Sequence, residues 1–129
     1  MEIEDLITPA RVMPRLKATS KKHVLQELAK RAAELTGLHE RAVFDVLLER
    51  ERLGTTGVGN GIAIPHGKLP EIKELFGLFA RLDDPVDFDA IDEQPVDLVF
   101  LLLAPEGAGA DQTDAIYALL TDTAKSHAA

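Results

Sequence analysis

The sequence predicts an α/β sandwich, a single domain over residues 1–129. Three observations carry that prediction. Two stretches keep apolar residues at helical spacing, two apolar runs are short enough to be strands, and helices both precede and follow strands along the chain. At 129 residues the chain is long enough to bury a core without covalent staples. Strand order does not follow from this pattern.

Residues 3–18 read as an irregular or short-strand lead-in, because Pro9 and Pro14 break any long helix there. Ser20 has the chemistry of an N-cap. Behind it Val24, Leu25, Leu28, Ala29, Ala32 and Leu35 hold helical spacing, and Gly37 is placed to close the helix. A second helix is expected from Glu40 to Arg52, with Ala42, Val43, Val46 and Leu47 as its apolar stripe. Arg50 and Arg52 suit the negative end of its dipole, and Gly54 ends it. Gly54 to Gly61 carries too many glycines for a helix or strand interior, so it reads as a loop. Ile62-Ala63-Ile64 is extended, and Pro65 ends that stretch. Leu75 to Leu82 reads as a strand. Asp83 to Asp89 reads as a turn followed by a short edge strand. Leu98 to Ala104 is apolar on both faces, which marks a central strand. Pro105 to Asp111 is then a loop, Asp114 to Leu120 a helix, and Ser126 to Ala129 a fraying tail.

Composition narrows the function. A formal net charge of −8 repels nucleic acid and anionic lipid over most of the surface. An acidic face can steer a basic protein partner. The absence of cysteine excludes disulfides and thiolate metal sites and suits a reducing cytoplasm. Leu98 to Ala104 is far too short to span a bilayer, and the acidic start Met1-Glu2-Ile3-Glu4-Asp5 lacks the basic opening of a signal peptide. A cytoplasmic protein is expected.

The chemistry concentrates between Arg50 and Lys68. A glycine-rich loop can turn backbone N–H groups toward one anion. The candidate cradle is Gly57, Gly59, Asn60 and Gly61, with the hydroxyls of Thr55 and Thr56 as further donors. The loop leads into a short strand that delivers His66. Pro65 restricts how that ring is presented, and Gly67 lets a partner approach. A neutral imidazole is a good nucleophile near pH 7. If it took a phosphoryl group, Arg50 could offset the added charge through a forked contact. Such transfer needs positioning and charge stabilisation, so neither a metal nor another cofactor is required. Plainer readings stand beside this one. Glycine runs are more often simple turns, a histidine after proline is more often structural, and an arginine ending a helix is usually a solvated cap. Nucleotide binding is weak because no Walker lysine follows the loop.

The wording of the segment goes further. Arg50-Glu51-Arg52-Leu53-Gly54-Thr55-Thr56-Gly57-Val58-Gly59-Asn60-Gly61-Ile62-Ala63-Ile64-Pro65-His66-Gly67-Lys68 resembles the phosphorylation-site segment of EIIA domains of the fructose/mannitol/nitrogen-regulatory phosphotransferase family. Asp5-Leu6-Ile7-Thr8-Pro9, Leu25-Gln26-Glu27-Leu28-Ala29, Pro85-Val86-Asp87-Phe88-Asp89 and Pro95-Val96-Asp97-Leu98-Val99 extend the resemblance, which fits the nitrogen-regulatory branch best. It implies a mixed parallel/antiparallel sheet flanked by helices, as in mannitol EIIA. It implies His66 as phosphohistidine through Nε2, and Arg50 as the arginine that contacts the phosphoryl group. The implied donor is a small HPr-like phosphocarrier, and the output is regulatory, through protein targets chosen by phosphorylation state. No attached permease is evident, which agrees with a free-standing regulator. A separate sugar-permease partner and a non-catalytic interaction module are the alternatives. Whether the chain forms a homodimer is left open.

One departure stands out. Gly109-Ala110-Asp111 is followed by Gln112-Thr113, where the family has a second histidine, and a further helix is absent before Asp114. Either a deletion has left an incomplete site, or residues are missing between Asp111 and Gln112. The second is preferred, because losing a core helix would expose a large apolar patch. His23, His39 and His127 are scattered and form no i, i+4 pair of a metal site. His23 is expected to be exposed in a first helical turn and His39 to cap the second helix. The acidic residues from Asp83 to Asp97 read as solvated.

Overall fold

The computed structural model describes residues 9–106. The expected helix at Asp114 to Leu120, the Asp111–Gln112 junction, His127 and the tail lie outside the described residues. A short 3-10 turn, Pro9–Arg11, leads into β1 (Val12–Leu16). Helices α1 (Lys21–Thr36) and α2 (Glu40–Leu53) follow. Then come β2 (Gly57–Gly59), β3 (Ile62–Ala63), β4 (His66–Leu69), β5 (Phe76–Val86) and β6 (Val96–Pro105).

Both helices begin and end where local chemistry dictates. Ser20 Oγ accepts the His23 N–H at 3.1 Å, and Gly37 closes α1 in the left-handed region with φ 79°. The buried face of α1 is Val24, Leu25, Leu28, Ala29 and Ala32. In α2 the buried residues are Val43, Leu47 and Glu51, four apart, with Val46 partly buried beside them. Ala42, expected on this stripe, is exposed. His39 occupies the N-cap position of α2, but its side chain makes no capping hydrogen bond. Gly54 ends the helix, as expected.

The strands form one mixed sheet in the order β1-β5-β6-β3-β2. β1 runs parallel to β5, and β5 antiparallel to β6. β3 and β4 lie one after the other along the same side of β6, both parallel to it. Pro14 sits on edge strand β1, where a missing N–H is tolerated, and the β1–β5 register shifts between Met13 and Leu16. Pro65 interrupts the pairing and does not end it. Leu102 N–H donates to Pro65 O at 3.0 Å, and the ladder resumes at His66↔Leu102.

β6 is the central strand that its apolar sequence predicts. Val99, Leu101 and Leu103 join the main core with Leu25, Leu28, Leu47 and Leu78. Leu98, Phe100 and Leu102 face the second cluster with Ile62 and Ile64. Each fully buried leucine contributes about 1.5–3 kcal/mol by leaving water.

Two expectations about the strands also need correction. Of the turn and short edge strand expected at Asp83 to Asp89, the first part is instead the continuation of β5, which runs through Asp83-Asp84-Pro85 to pair Val86 with Val96 and ends there. A register shift between Arg81 and Val86 absorbs the irregularity. Pro85 is tolerated because β1 pairs with β5 only as far as Leu82, so one edge is unpaired beyond it. Second, Gly57-Val58-Gly59 is a strand. It pairs antiparallel with β3 through Asn60-Gly61 at φ 60° and 78°, the two left-handed positions of a tight hairpin turn.

Candidate active site

His66 opens β4, and Arg50 lies in the last turn of α2. The packing of α2 on β4 brings them together. That approach is close: an added Cβ on Gly67 would lie 2.3 Å from Val46 Cγ1. Gly67 therefore admits the protein's own helix, where the sequence suggested an external partner.

Both ring nitrogens of His66 are engaged. Nδ1 faces Ile64 O at 2.9 Å. A carbonyl only accepts, so Nδ1 carries the proton. Arg50 Nε–H donates to Nε2 at 3.2 Å, which requires a lone pair there. The neutral Nδ1–H tautomer satisfies both contacts. Burial pushes the His66 pKa below its ordinary value, and the Arg50 charge lowers it further. The Ile64 carbonyl and the Glu51 carboxylate oppose that shift without reversing it. A half-buried imidazole with the lone pair of Nε2 against a guanidinium is the result. Arg50 Nη1 also donates to Gly54 O at 2.9 Å. One side chain thus both caps α2 and meets His66.

Several polar groups of the glycine segment find partners within the protein. Thr55 Oγ1 donates to Phe88 O at 2.7 Å and accepts the Gly57 N–H at 3.0 Å. Thr56 is fully buried, its hydroxyl donating to Glu51 Oε1 and its N–H to Glu51 Oε2 at 3.2 Å. The Asn60 N–H donates to Asp92 Oδ2 at 2.9 Å. Gly57, Gly59, Asn60 and Gly61 build the hairpin against the residues around Ala90, Asp92 and Asp97. Thr55 and Thr56 are committed inward, and the carboxylates of Asp92 and Asp97 lie beside the hairpin. Asp92 is exposed, but it is not merely solvated. The N–H groups of Asn60 and then Gln94 hold its carboxyl below the usual range.

Sequence reasoning missed Glu51 and Lys21. The Glu51 side chain is 4% exposed, and Lys21 Nζ lies 2.7 Å from its Oε2. A signal was present. Glu51 continues the Val43, Leu47 spacing, so a carboxylate was due to point into the core. His23, expected to be exposed, is half-buried, with Nε2 3.5 Å from Glu27 Oε1.

Over residues 5–127 the chain matches the family described as "Phosphoenolpyruvate-dependent sugar phosphotransferase system, EIIA 2". It is 67% identical over 116 residues to a nitrogen regulatory protein of Bradyrhizobium diazoefficiens, covering 90% of this chain and 76% of that one. Its fold superposes on the nitrogen regulatory protein IIA-Ntr of Neisseria meningitidis with TM-score 0.82 and 36% identity, covering 88% and 78% of the two chains. The mannitol IIA of Escherichia coli shares the fold, at TM-score 0.72 and 20% identity over 88% and 79%. No helix among the described residues is long and apolar enough to cross a membrane.

Proposed function

Because this chain belongs to the EIIA 2 family of the phosphoenolpyruvate-dependent sugar phosphotransferase system, we propose that it is a cytoplasmic phosphocarrier of the nitrogen-regulatory type that accepts a phosphoryl group on Nε2 of His66. One observation carries the reading. Arg50 Nε lies 3.2 Å from Nε2 while Nδ1 is held on Ile64 O at 2.9 Å. The proton and the reactive lone pair are therefore assigned to opposite sides of the ring.

The step follows from that arrangement. An HPr-like phosphocarrier protein presents its phosphoryl group in line with Nε2. The Nε2–P bond forms as the bond from phosphorus to the donor's leaving atom breaks. Nδ1 keeps its proton, hydrogen-bonded to Ile64 O, so the ring needs no proton transfer to react. The guanidinium, tethered by Nη1 to Gly54 O, exchanges its bond to Nε2 for one to a phosphoryl oxygen. With Nδ1–H retained, the ring takes one positive charge as the phosphoryl group brings about two negative ones, and the guanidinium offsets part of the latter. The same charge, placed beside α2, changes the face offered to protein targets and supplies a regulatory output. The 67% identity to a nitrogen regulatory protein supports this output over delivery to a sugar permease.

Incubation with a phosphorylated HPr-like donor is expected to label the chain with an acid-labile phosphate that maps to His66. His66→Ala abolishes the labelling. Labelling that survives this change overturns the assignment.

A further inference from the structure

Glu51 is the least expected residue in α2. It sits at a core position, 4% exposed, among donors that satisfy it: Lys21 Nζ at 2.7 Å, the Thr56 N–H at 3.2 Å, and the Thr56 hydroxyl. Lys21 is itself held from α1, donating to Phe88 O at 3.3 Å, with Asp89 at 3.8 Å on its outer side. A buried ion pair is a poor choice for stability alone, because apolar residues of similar volume usually serve as well or better.

The hydrogen bonds lead from Glu51 to the ring. Thr56, gripped at two atoms by the carboxylate, accepts the Ile64 N–H on its carbonyl at 2.9 Å. The Ile64 carbonyl, at the other end of the same residue, accepts Nδ1–H of His66 at 2.9 Å. On the opposite side, Glu51 directly follows Arg50, which meets Nε2. Both nitrogens of His66 thus depend on segments that one carboxylate ties together.

We propose that Glu51, anchored by Lys21 and acting through Thr56 and Ile64, is a positioning residue that sets which nitrogen of His66 carries the proton and which takes the phosphoryl group. The proposal rests on the reading of His66 as the acceptor. Glu51 touches neither the ring nor the transferred group. It acts by fixing where the Ile64 carbonyl stands, as outer partners orient the histidines of metal sites. Its negative charge also favours proton retention on the ring, opposing burial and Arg50.

The experiment uses the full chain with 15N-labelled histidine and a phosphorylated HPr-like donor. Nitrogen shifts report the tautomer of His66, and 31P shifts report which nitrogen is phosphorylated. Wild type is expected to be the Nδ1–H tautomer and to react at Nε2. Glu51→Gln, still folded by circular dichroism, is expected to show a mixture of tautomers and a rate about ten- to a hundredfold lower. Thr56→Val removes the hydroxyl contact with Glu51 while keeping the N–H one, and gives the same two changes in smaller degree. Thr56→Ser keeps both donors and restores them. If Glu51→Gln does not fold, the Thr56→Val and Thr56→Ser pair decides by the same two readings. Folded variants with the wild-type tautomer and rate overturn the proposal while leaving His66 as acceptor. A wild type that takes no label on His66 refutes the acceptor reading instead.

Discussion

Gly67→Ala tests whether contact between α2 and β4 holds the two reactive side chains together. The new Cβ would lie 2.3 Å from Val46 Cγ1 and 3.6 Å from Val46 Cβ. To reach a normal carbon contact of ~3.5 Å the pair must separate by roughly 1.2 Å. Val46 is β-branched and held to one rotamer in a helix, so its methyl cannot simply swing aside. The helix must lift from the strand. Overpacking of this kind costs about 2–3 kcal/mol. For a domain of this size the melting temperature should fall by roughly 6–12 °C. Val46→Ala removes the offending methyl and should itself cost only about 1 kcal/mol, since the residue is partly buried. The double variant should recover about 1–2 kcal/mol relative to the sum of the single changes. Thermal and urea melts of the four proteins measure the cycle. The functional arm is as direct. α2 carries Arg50 and β4 carries His66, bonded at 3.2 Å. A displacement near 1 Å lowers the rate by about a hundredfold, even at a temperature where the variant is folded. A Gly67→Ala protein melting within ~1 °C of wild type, or one that Val46→Ala does not rescue, refutes the reasoning.

Arg50→Ala should slow phosphorylation of His66 by about 10²–10³-fold, with Arg50→Lys between it and wild type because the fork is lost but the charge kept. NMR titration should show the His66 pKa rising in Arg50→Ala, since the Arg50 charge is one of the two causes that lower it. An unchanged pKa would remove Arg50 from the ring's surroundings. The pH dependence of stability has a definite sign. With its folded pKa below the unfolded value of about 6.5, His66 binds more proton unfolded than folded between those two values. Its neutral burial is therefore without penalty above that window, and stability is lost as pH falls from the unfolded value through the folded one. Melts between pH 8 and pH 5 should show a steeper decline for wild type than for His66→Gln; parallel curves would contradict it. Ser20→Ala should cost about 1 kcal/mol through loss of the α1 N-cap, while Ser20→Asp should cost little, both read from urea midpoints.

Particular residues show how far sequence reasoning reached. Ser20 and Gly37 were legible as the ends of α1 because a cap is decided within a few residues of itself. The doubly apolar run at Leu98 to Ala104 was legible as a central strand because both faces of such a strand must leave water. The extension of β5 past Leu82 was not legible, because the partner of Val86 is Val96, on the far side of a turn. The hairpin of Gly57 to Ala63 announced itself in Asn60-Gly61 but was hidden by its glycine content. In the site, the wording around His66 pointed to the ring and to Arg50, while the roles of Thr55, Thr56 and Asp92 were hidden because a polar side chain does not name its partner.

The chain alone determined which residues form helices, where those helices stop, and which imidazole and guanidinium stand near each other in sequence. These depend on spacing, and spacing is local. Only the tertiary structure decided what each polar atom meets: Arg50 with Nε2, Ile64 with Nδ1, and Lys21 with a carboxylate buried from another helix. Those pairings arise where β6 gathers β3, β4 and β5 along its two edges and α2 settles against Gly67. The register of distant segments chooses them, and no short window of sequence contains it.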